Sequence, residues 1–334
     1  MSLKLAIYGY DTDIGKLVLE TIDEQNFELD DLFPLTPLSG EYDAVSVRGQ
    51  NYFVQAVDEF DFSKADVALF LSTKDESERL VLKAKEKGCV VVDNSHLFSG
   101  DKNTCTIVPQ INDYDVKKAI ENKLVIPALA PSVELILALS VLHDEFGVDK
   151  ANATALESVS EFGQLGTQTL AHESTLLLNG MASDHQGFKA QLAFNLHSHI
   201  GEVLDTNFTD HESTIISETQ RVLGKFTRGL NVTSVLVPVF YGHTMVVNVE
   251  LEQAATLSEV QKAFADSEYT ELCENDRLLS PVEDAINQRK VLVSRVRQTE
   301  GSKKSFSFEL MMDNSRFGEA ISLVEIIKLI AKNN

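Results

Sequence analysis

A chain of 334 residues with 43% apolar content is longer than one compact core usually serves, which predicts two domains. Its 51 acidic against 29 basic residues give a formal charge of -22, which disfavours nucleic acid and anionic membrane surfaces as partners. Three cysteines, Cys89, Cys105 and Cys273, are too few and too unevenly spaced for a disulfide framework or a metal cluster, and no apolar run approaches the ~18 residues of a membrane span, so a reducing, cytoplasmic setting is expected.

Leu3 to Tyr8 is a short apolar run ending at Gly9, and helical spacing continues over Ile14 to Thr21, predicting strand, tight turn and helix. Asp66 to Leu71 reads as a fully buried strand, Glu76 to Lys87 as a helix ending at Gly88, and Cys89 to Asp93 as another buried strand. Strands separated by helices predict a parallel, Rossmann-type α/β sheet with right-handed crossovers. Val125 to Leu139 reads as a short strand, a Pro-bearing turn and a helix opened by Ser132.

From Ala151 the texture changes. β-Branched alternation at Ala153 to Val159, Ser234 to Val239, Thr244 to Leu251 and Lys290 to Val296 predicts longer strands in a mixed or antiparallel sheet, with helices at Thr167 to Leu178 and Ser213 to Leu223 on one side. Phe317 to Lys332 is an amphipathic helix expected to return to the first domain. The expected division is residues 1–128 with 312–334 as a dinucleotide-binding-like domain, and 129–311 as an α+β domain for dimerisation and substrate.

Several segments occur in a telling order: Asp66-Val-Ala-Leu-Phe, Val90-Val-Val-Asp-Asn-Ser95 with Phe98, Val108-Pro109 with Asn112, Pro238-Val-Phe-Tyr-Gly-His243-Thr244, and Asp313-Asn-Ser-Arg-Phe-Gly318. Across essentially the whole chain they resemble the aspartate-semialdehyde dehydrogenase family. The resemblance implies interconversion of an acyl phosphate and an aldehyde by thiolate attack, hydride exchange with NADP, and entry or exit of phosphate. It places the nucleophile position at Pro131, whose ring cannot attack a carbonyl. It places the substrate-orienting glutamine at Glu157, the carboxylate-binding arginine at Leu236, the phosphate-binding arginine at Ser99, and a substrate-site lysine at Thr214, with His211 where that lysine's acidic companion would be. The general-base histidine is present as His243, but with no nucleophile to deprotonate it reads first as a structural hydrogen-bonding group.

The cofactor loop is Gly9-Tyr-Asp-Thr-Asp-Ile-Gly15. Glycines after a first strand let backbone amides approach a pyrophosphate, and a helix N-terminus adds positive potential. Here the family's middle glycine falls at Thr12, Asp11 and Asp13 put carboxylates beside the phosphate path, and Ile14 and Gly15 complete the turn. Pro34 to Gly40 has no arginine for a 2'-phosphate, Asp30, Asp31 and Glu41 are candidate ribose acceptors, and the family's later glycine pair becomes Thr73-Lys74. No cofactor is expected, and NADP if any.

Other chemistry finds little support. Cys89 and Cys105 read as core residues, and the acidic neighbours of Cys273 disfavour its thiolate. His172, His185, His197, His199 and His211 contain one short pair, His197-Ser-His199, so no metal site is expected and these histidines read as structural or solvent-facing. Three functions stay open: a catalytically inactive homodimeric scaffold, regulator or partner subunit; a small-metabolite sensor using a cleft lined by Glu134, Glu157 and Glu161; and an NADP-dependent oxidoreductase acting on an aldehyde through His243.

Overall fold

The apolar runs of the N-terminal third assemble into a seven-stranded parallel sheet in a computed structural model that describes residues 3–37, 43–101, 104–224, 229–274 and 276–333. The chain divides into two units, residues 1–128 with 319–334 and residues 129–318. In the first unit, strands β1 (Lys4–Tyr8), β2 (Asp31–Thr36), β3 (Ala44–Val47), β4 (Gln50–Phe53), β5 (Gln55–Ala56), β6 (Val67–Phe70), β7 (Val90–Asp93), β8 (Cys105–Ile107) and β9 (Leu124–Pro127) occur with helices α1 (Asp13–Glu24), α2 (Lys74–Glu86) and α3 (Val116–Asn122). The sheet order is β5-β2-β1-β6-β7-β9-β8, and β3 and β4 form a separate hairpin.

Strand periodicity explains why this sheet is buried on both faces. On β1, Leu5 and Ile7 point to one side and pack with Ile22 of α1 and with Leu323, Val324 and Ile327 near the C-terminus. Ala6 and Tyr8 point to the other and pack with Leu80, Val81 and Ala84 of α2. Helix α2 starts cleanly because Thr73 accepts from the Glu76 amide while the Glu76 side chain accepts from the Thr73 amide, a reciprocal capping box.

The second unit contains α4 (Ala130–Phe146), β10 (Val148–Glu157), α5 (Gly163–Leu178), α6 (Asp210–Val222), β11 (Leu230–Leu236), β12 (His243–Leu251), α7 (Leu257–Asp266), β13 (Thr270–Leu272), β14 (Val291–Gln298) and β15 (Ser305–Met312). Its sheet order is β11-β10-β12-β15-β14-β13. The pairs β10–β11 and β13–β14 are parallel and the others antiparallel, so the sheet is mixed. Buried α4 packs on this sheet and beside α6 and α7. A π-helical segment, Asn314–Ile321, leads into the closing helix α8 (Ser322–Asn333).

Several sequence expectations shift. The strand expected over Ser234 to Val239 is β11, ending at Leu236, since Pro238 has no N–H to continue a ladder. Strand β15 escaped the sequence reading although Phe306, Phe308 and Leu310 alternate inward. Ser132 does not open α4: the helix begins at Ala130, Pro131 occupies its first turn, and the Ser132 hydroxyl is buried without a partner. Residues 312–318, assigned from sequence to the first unit, belong to the second because Met312 ends β15 opposite His243 and the Asn314 side chain bonds into the second unit.

Candidate functional site

Register brings three of the expected positions together. Glu157 ends strand β10 and pairs with Leu236 of β11, while Leu156 faces Thr244 of β12, which puts His243 beside Glu157 on the other side. The first turn of α6 adds His211, whose Nε2 lies 2.9 Å from Glu157 Oε2. Glu161 follows on the short turn after β10, with its Oε2 3.7 Å from His243 Nε2.

Helix α6 is held there by buried acids that act as ties. Glu212 completes a capping box with Thr209 and also accepts from the Ser234 amide at 3.0 Å, fixing α6 to β11. Glu218 accepts from the Leu129 amide at 2.9 Å, which anchors the start of α4. Proline suits that start, because a first-turn residue has no intrahelical use for its N–H. Gly318 packs closely there too, since a Cβ on it would lie 2.9 Å from Ala130 Cβ.

Side chains at the other expected positions bond or pack locally. Thr214 Oγ1 donates back to the Asp210 carbonyl at 2.8 Å. Leu236 exchanges two backbone hydrogen bonds with His197 and sits in an apolar cluster with Val159, Leu170, Leu192 and Ala193. In the first unit, Ser99 Oγ donates to the His96 carbonyl at 2.7 Å.

Burial sorts the charges. Glu134 is fully buried with neither carboxylate oxygen hydrogen-bonded; desolvation, reinforced by the Glu157 charge, pushes its pKa well above the carboxylate range. Burial would raise Glu157 as well, but the His211 imidazolium against it prevails and holds it below its usual value. Burial opposes charge on His211, yet Glu157 prevails and raises it to about 9. At His243 burial prevails over the nearby Glu157 charge, aided by the His211 charge, and lowers it to about 4, which keeps it neutral. Both of its ring nitrogens are buried without a hydrogen bond, so the structural hydrogen bond expected of a lone histidine is absent.

His211, grouped from sequence with structural or solvent-facing histidines, is therefore the charged partner of a buried acid. No spacing signal connects it to Glu157, because the two are 54 residues apart. The expectation of no metal-ligating group also rested on spacing along the chain. In space, one ligand atom each from Glu157, Glu161 and His243 lies within 4.8 Å of the others. All three cysteines are buried; Cys89 donates to the carbonyls of Phe62 and Ala65, and burial raises it to about 11.

The glycine turn of the first unit keeps the shape of a dinucleotide cradle. Gly9 has φ +83°, and a Cβ there would lie 2.4 Å from the Leu71 carbonyl oxygen; a Cβ on Gly15 would lie 2.2 Å from the Gly9 carbonyl oxygen. Packing alone thus requires both glycines. Thr12 has an ordinary φ of -68° and caps α1, accepting from the Gly15 amide at 3.0 Å and donating to the Gly9 carbonyl at 2.8 Å. Asp13 opens the helix, and Ile14 turns into the adjoining core. Across the strand ends, Thr73 caps α2 with Glu76, which also accepts from Tyr8 Oη at 2.6 Å. A capped amide and carboxylates at both helix starts fit a pyrophosphate poorly. Residues 38–40 of the stretch expected to meet a 2'-phosphate, and Glu41, lie outside the described residues.

A parallel dinucleotide-type unit joined to a mixed-sheet unit, with a histidine and a helix start at the strand ends of the second, defines a two-domain dehydrogenase architecture. Residues 4–119 match the family model "Semialdehyde dehydrogenase, NAD binding domain", and residues 139–317 match "Semialdehyde dehydrogenase, dimerisation domain". The chain is 30% identical to aspartate-semialdehyde dehydrogenase 2 of Vibrio cholerae over 98% of both chains. It is 28% identical to the aspartate-semialdehyde dehydrogenase of Shewanella violacea, again over 98% of each. The crystal structure of the V. cholerae aspartate semialdehyde dehydrogenase II complexed with ASA superposes with a TM-score of 0.94 at 30% identity, covering 100% of this chain and 99% of that one. The chain belongs to the aspartate-semialdehyde dehydrogenase family. Among the described residues no helix is long and apolar enough to cross a membrane.

Proposed function

We propose that this chain is a homodimeric member of the family that does not turn over aspartate semialdehyde and acts as a regulatory or partner subunit. The reading is carried by Pro131. A prolyl nitrogen inside a peptide bond has no lone pair for attack, so no thiohemiacetal or acyl-enzyme can form at that position.

The surrounding residues support the same reading. Leu236 offers no cation to a substrate carboxylate, and loss of a buried hydrogen-bonded charge pair costs about 2–5 kcal/mol of binding. Glu157 brings a negative charge toward any anionic substrate, and its counter-ion His211 is already engaged. The hydroxyls of Thr214 and Ser99 are turned onto carbonyls of their own segments. Neutral His243 keeps the protonation state of a base but lacks a nucleophile to deprotonate. No cofactor is required by this reading. The match to a dimerisation domain, with exposed Phe162, Leu165, Leu178 and Met181 in the second unit, supports a homodimer.

Purified protein supplied with aspartate semialdehyde, phosphate and NADP tests the reading by the absorbance of NADPH. The expected rate equals that of the protein-free control. Turnover that disappears in His243→Asn would overturn the proposal.

A further inference from the structure

We infer that Glu157, Glu161 and His243 form a binding site for a divalent first-row transition-metal cation, with zinc or manganese as the matching chemistry. The site occupies the strand ends of β10 and β12, in the position the family uses for a different purpose.

Proximity comes first. One ligand atom from each residue lies within 4.8 Å of the others, and the His243 Nε2 to Glu161 Oε2 separation is 3.7 Å. Ligands about 2.1 Å from a tetrahedral ion stand about 3.4 Å apart, so small side-chain rotations close the set. Independently, both ring nitrogens of fully buried His243 lack any hydrogen-bond partner. Buried polar atoms are nearly always paired, and a cation satisfies an imidazole lone pair and a carboxylate oxygen at once.

The support around the three groups resembles that of a metal centre. His211 engages Oε2 of Glu157, orienting the carboxylate. Asn314 donates to Ser160 Oγ at 2.9 Å and accepts from the Gly242 amide at 2.9 Å, joining the turn that bears Glu161 to the residue before His243. Ser158 and Ser160 hydrogen-bond to each other at 2.9 Å within that turn. Two carboxylates balance a doubly charged ion, while the imidazole favours a transition metal over calcium or magnesium. Three protein ligands leave a coordination position for water or a small ligand. The Glu161 side chain, 18% exposed, provides the route in.

This inference goes beyond the reading above, and the two fail separately: turnover of aspartate semialdehyde sinks the first, and metal content decides the second. Full-length protein is stripped with a chelator, loaded with zinc chloride or manganese chloride, dialysed against metal-free buffer and assayed for metal per chain. One equivalent of one of the two metals is expected, with a raised thermal midpoint. Glu161→Gln, at a partly exposed position where the fold tolerates the change, loses that equivalent while its circular dichroism is unchanged. His211→Gln weakens affinity ~10–100-fold, as loss of a ligand-orienting partner does. Failure of the folded wild-type protein to retain an equivalent of either metal overturns the inference. So does metal that persists in Glu161→Gln and is lost instead from His197→Ala or His199→Ala.

Discussion

His211 Nε2 lies 2.9 Å from Oε2 of Glu157, and these two groups hold opposite charges inside the second unit. The linkage sign follows from their environments. His211 is raised from 6.5 to about 9 in the folded chain, so its contribution to stability is fully present below about pH 6.5 and is lost as pH rises through 9. His243 is lowered to about 4; as pH falls below 6.5 the unfolded chain takes that proton first, and stability declines toward pH 4. Urea unfolding at pH 5, 6.5 and 9 should therefore give the largest unfolding free energy near 6.5. His211→Gln should lose the alkaline decline and leave the acid decline in place.

Glu134 makes a second, opposite case. It is buried, burial raises its pKa, and neither oxygen is hydrogen-bonded, so its polar atoms oppose folding. Glu134→Leu removes both unsatisfied atoms at similar volume. Thermal melts at pH 7 should show the variant within about 1 kcal/mol of wild type or more stable. A loss of 3 kcal/mol or more, on the order seen when a buried charge pair is broken, would mean that Glu134 is ionised and paired.

Pro131→Cys tests how far the site has diverged. The thiol would be restored at the first turn of α4, where a helix N-terminus favours thiolate. Leu236 and Glu157 would still repel or fail to hold an anionic substrate. We expect no NADPH formation from aspartate semialdehyde by this variant. Triple replacement with Glu157→Gln and Leu236→Arg still lacks cations at Ser99 and Thr214, so NADPH formation is expected to stay at background there too.

The glycine turn predicts stability and cofactor affinity together. Gly9→Ala meets both a left-handed φ and a carbonyl at 2.4 Å, so a cost on the order of 1–3 kcal/mol in denaturant unfolding is expected. Thr12→Ala should lose about 1 kcal/mol through the missing cap, and Thr12→Gly only a few tenths. Calorimetric titration of the wild type with NADP should give a Kd weaker than ~100 μM, a binding free energy smaller than about 5.5 kcal/mol. A tighter constant would show that the capped amide and the nearby carboxylates do not deter the phosphates.

Legibility in the sequence tracked the range of the interaction. The opening strand, turn and helix were readable because an apolar run, Gly9 and a 3.6-residue period lie within about twenty residues of one another. Strands β10 and β12 announced themselves by alternation, and the family resemblance located Pro131, Glu157, Leu236 and His243 on single segments. What escaped was pairing across the sheet. Glu157 finds His211 across 54 residues, and Glu161 meets His243 through register that only the assembled β10–β12 pair creates. The helix start at Ala130 was misread for a related reason: Ser132 has the chemistry of a cap, but the Glu218 carboxylate at the Leu129 amide and the fit of proline to a first turn settle where α4 begins.

Pro131 also bears on how such a chain can change over generations. Proline carries no attacking group, yet it is a residue that a helix start welcomes, so folding alone gives no pressure to replace it. Any lineage that acquired it would keep a sound scaffold while the route back to thiol chemistry demanded several further substitutions with no intermediate benefit. On the proposed reading, a favourable helix start acts as a ratchet, turning loss of one reaction into a stable starting point for another use of the same framework.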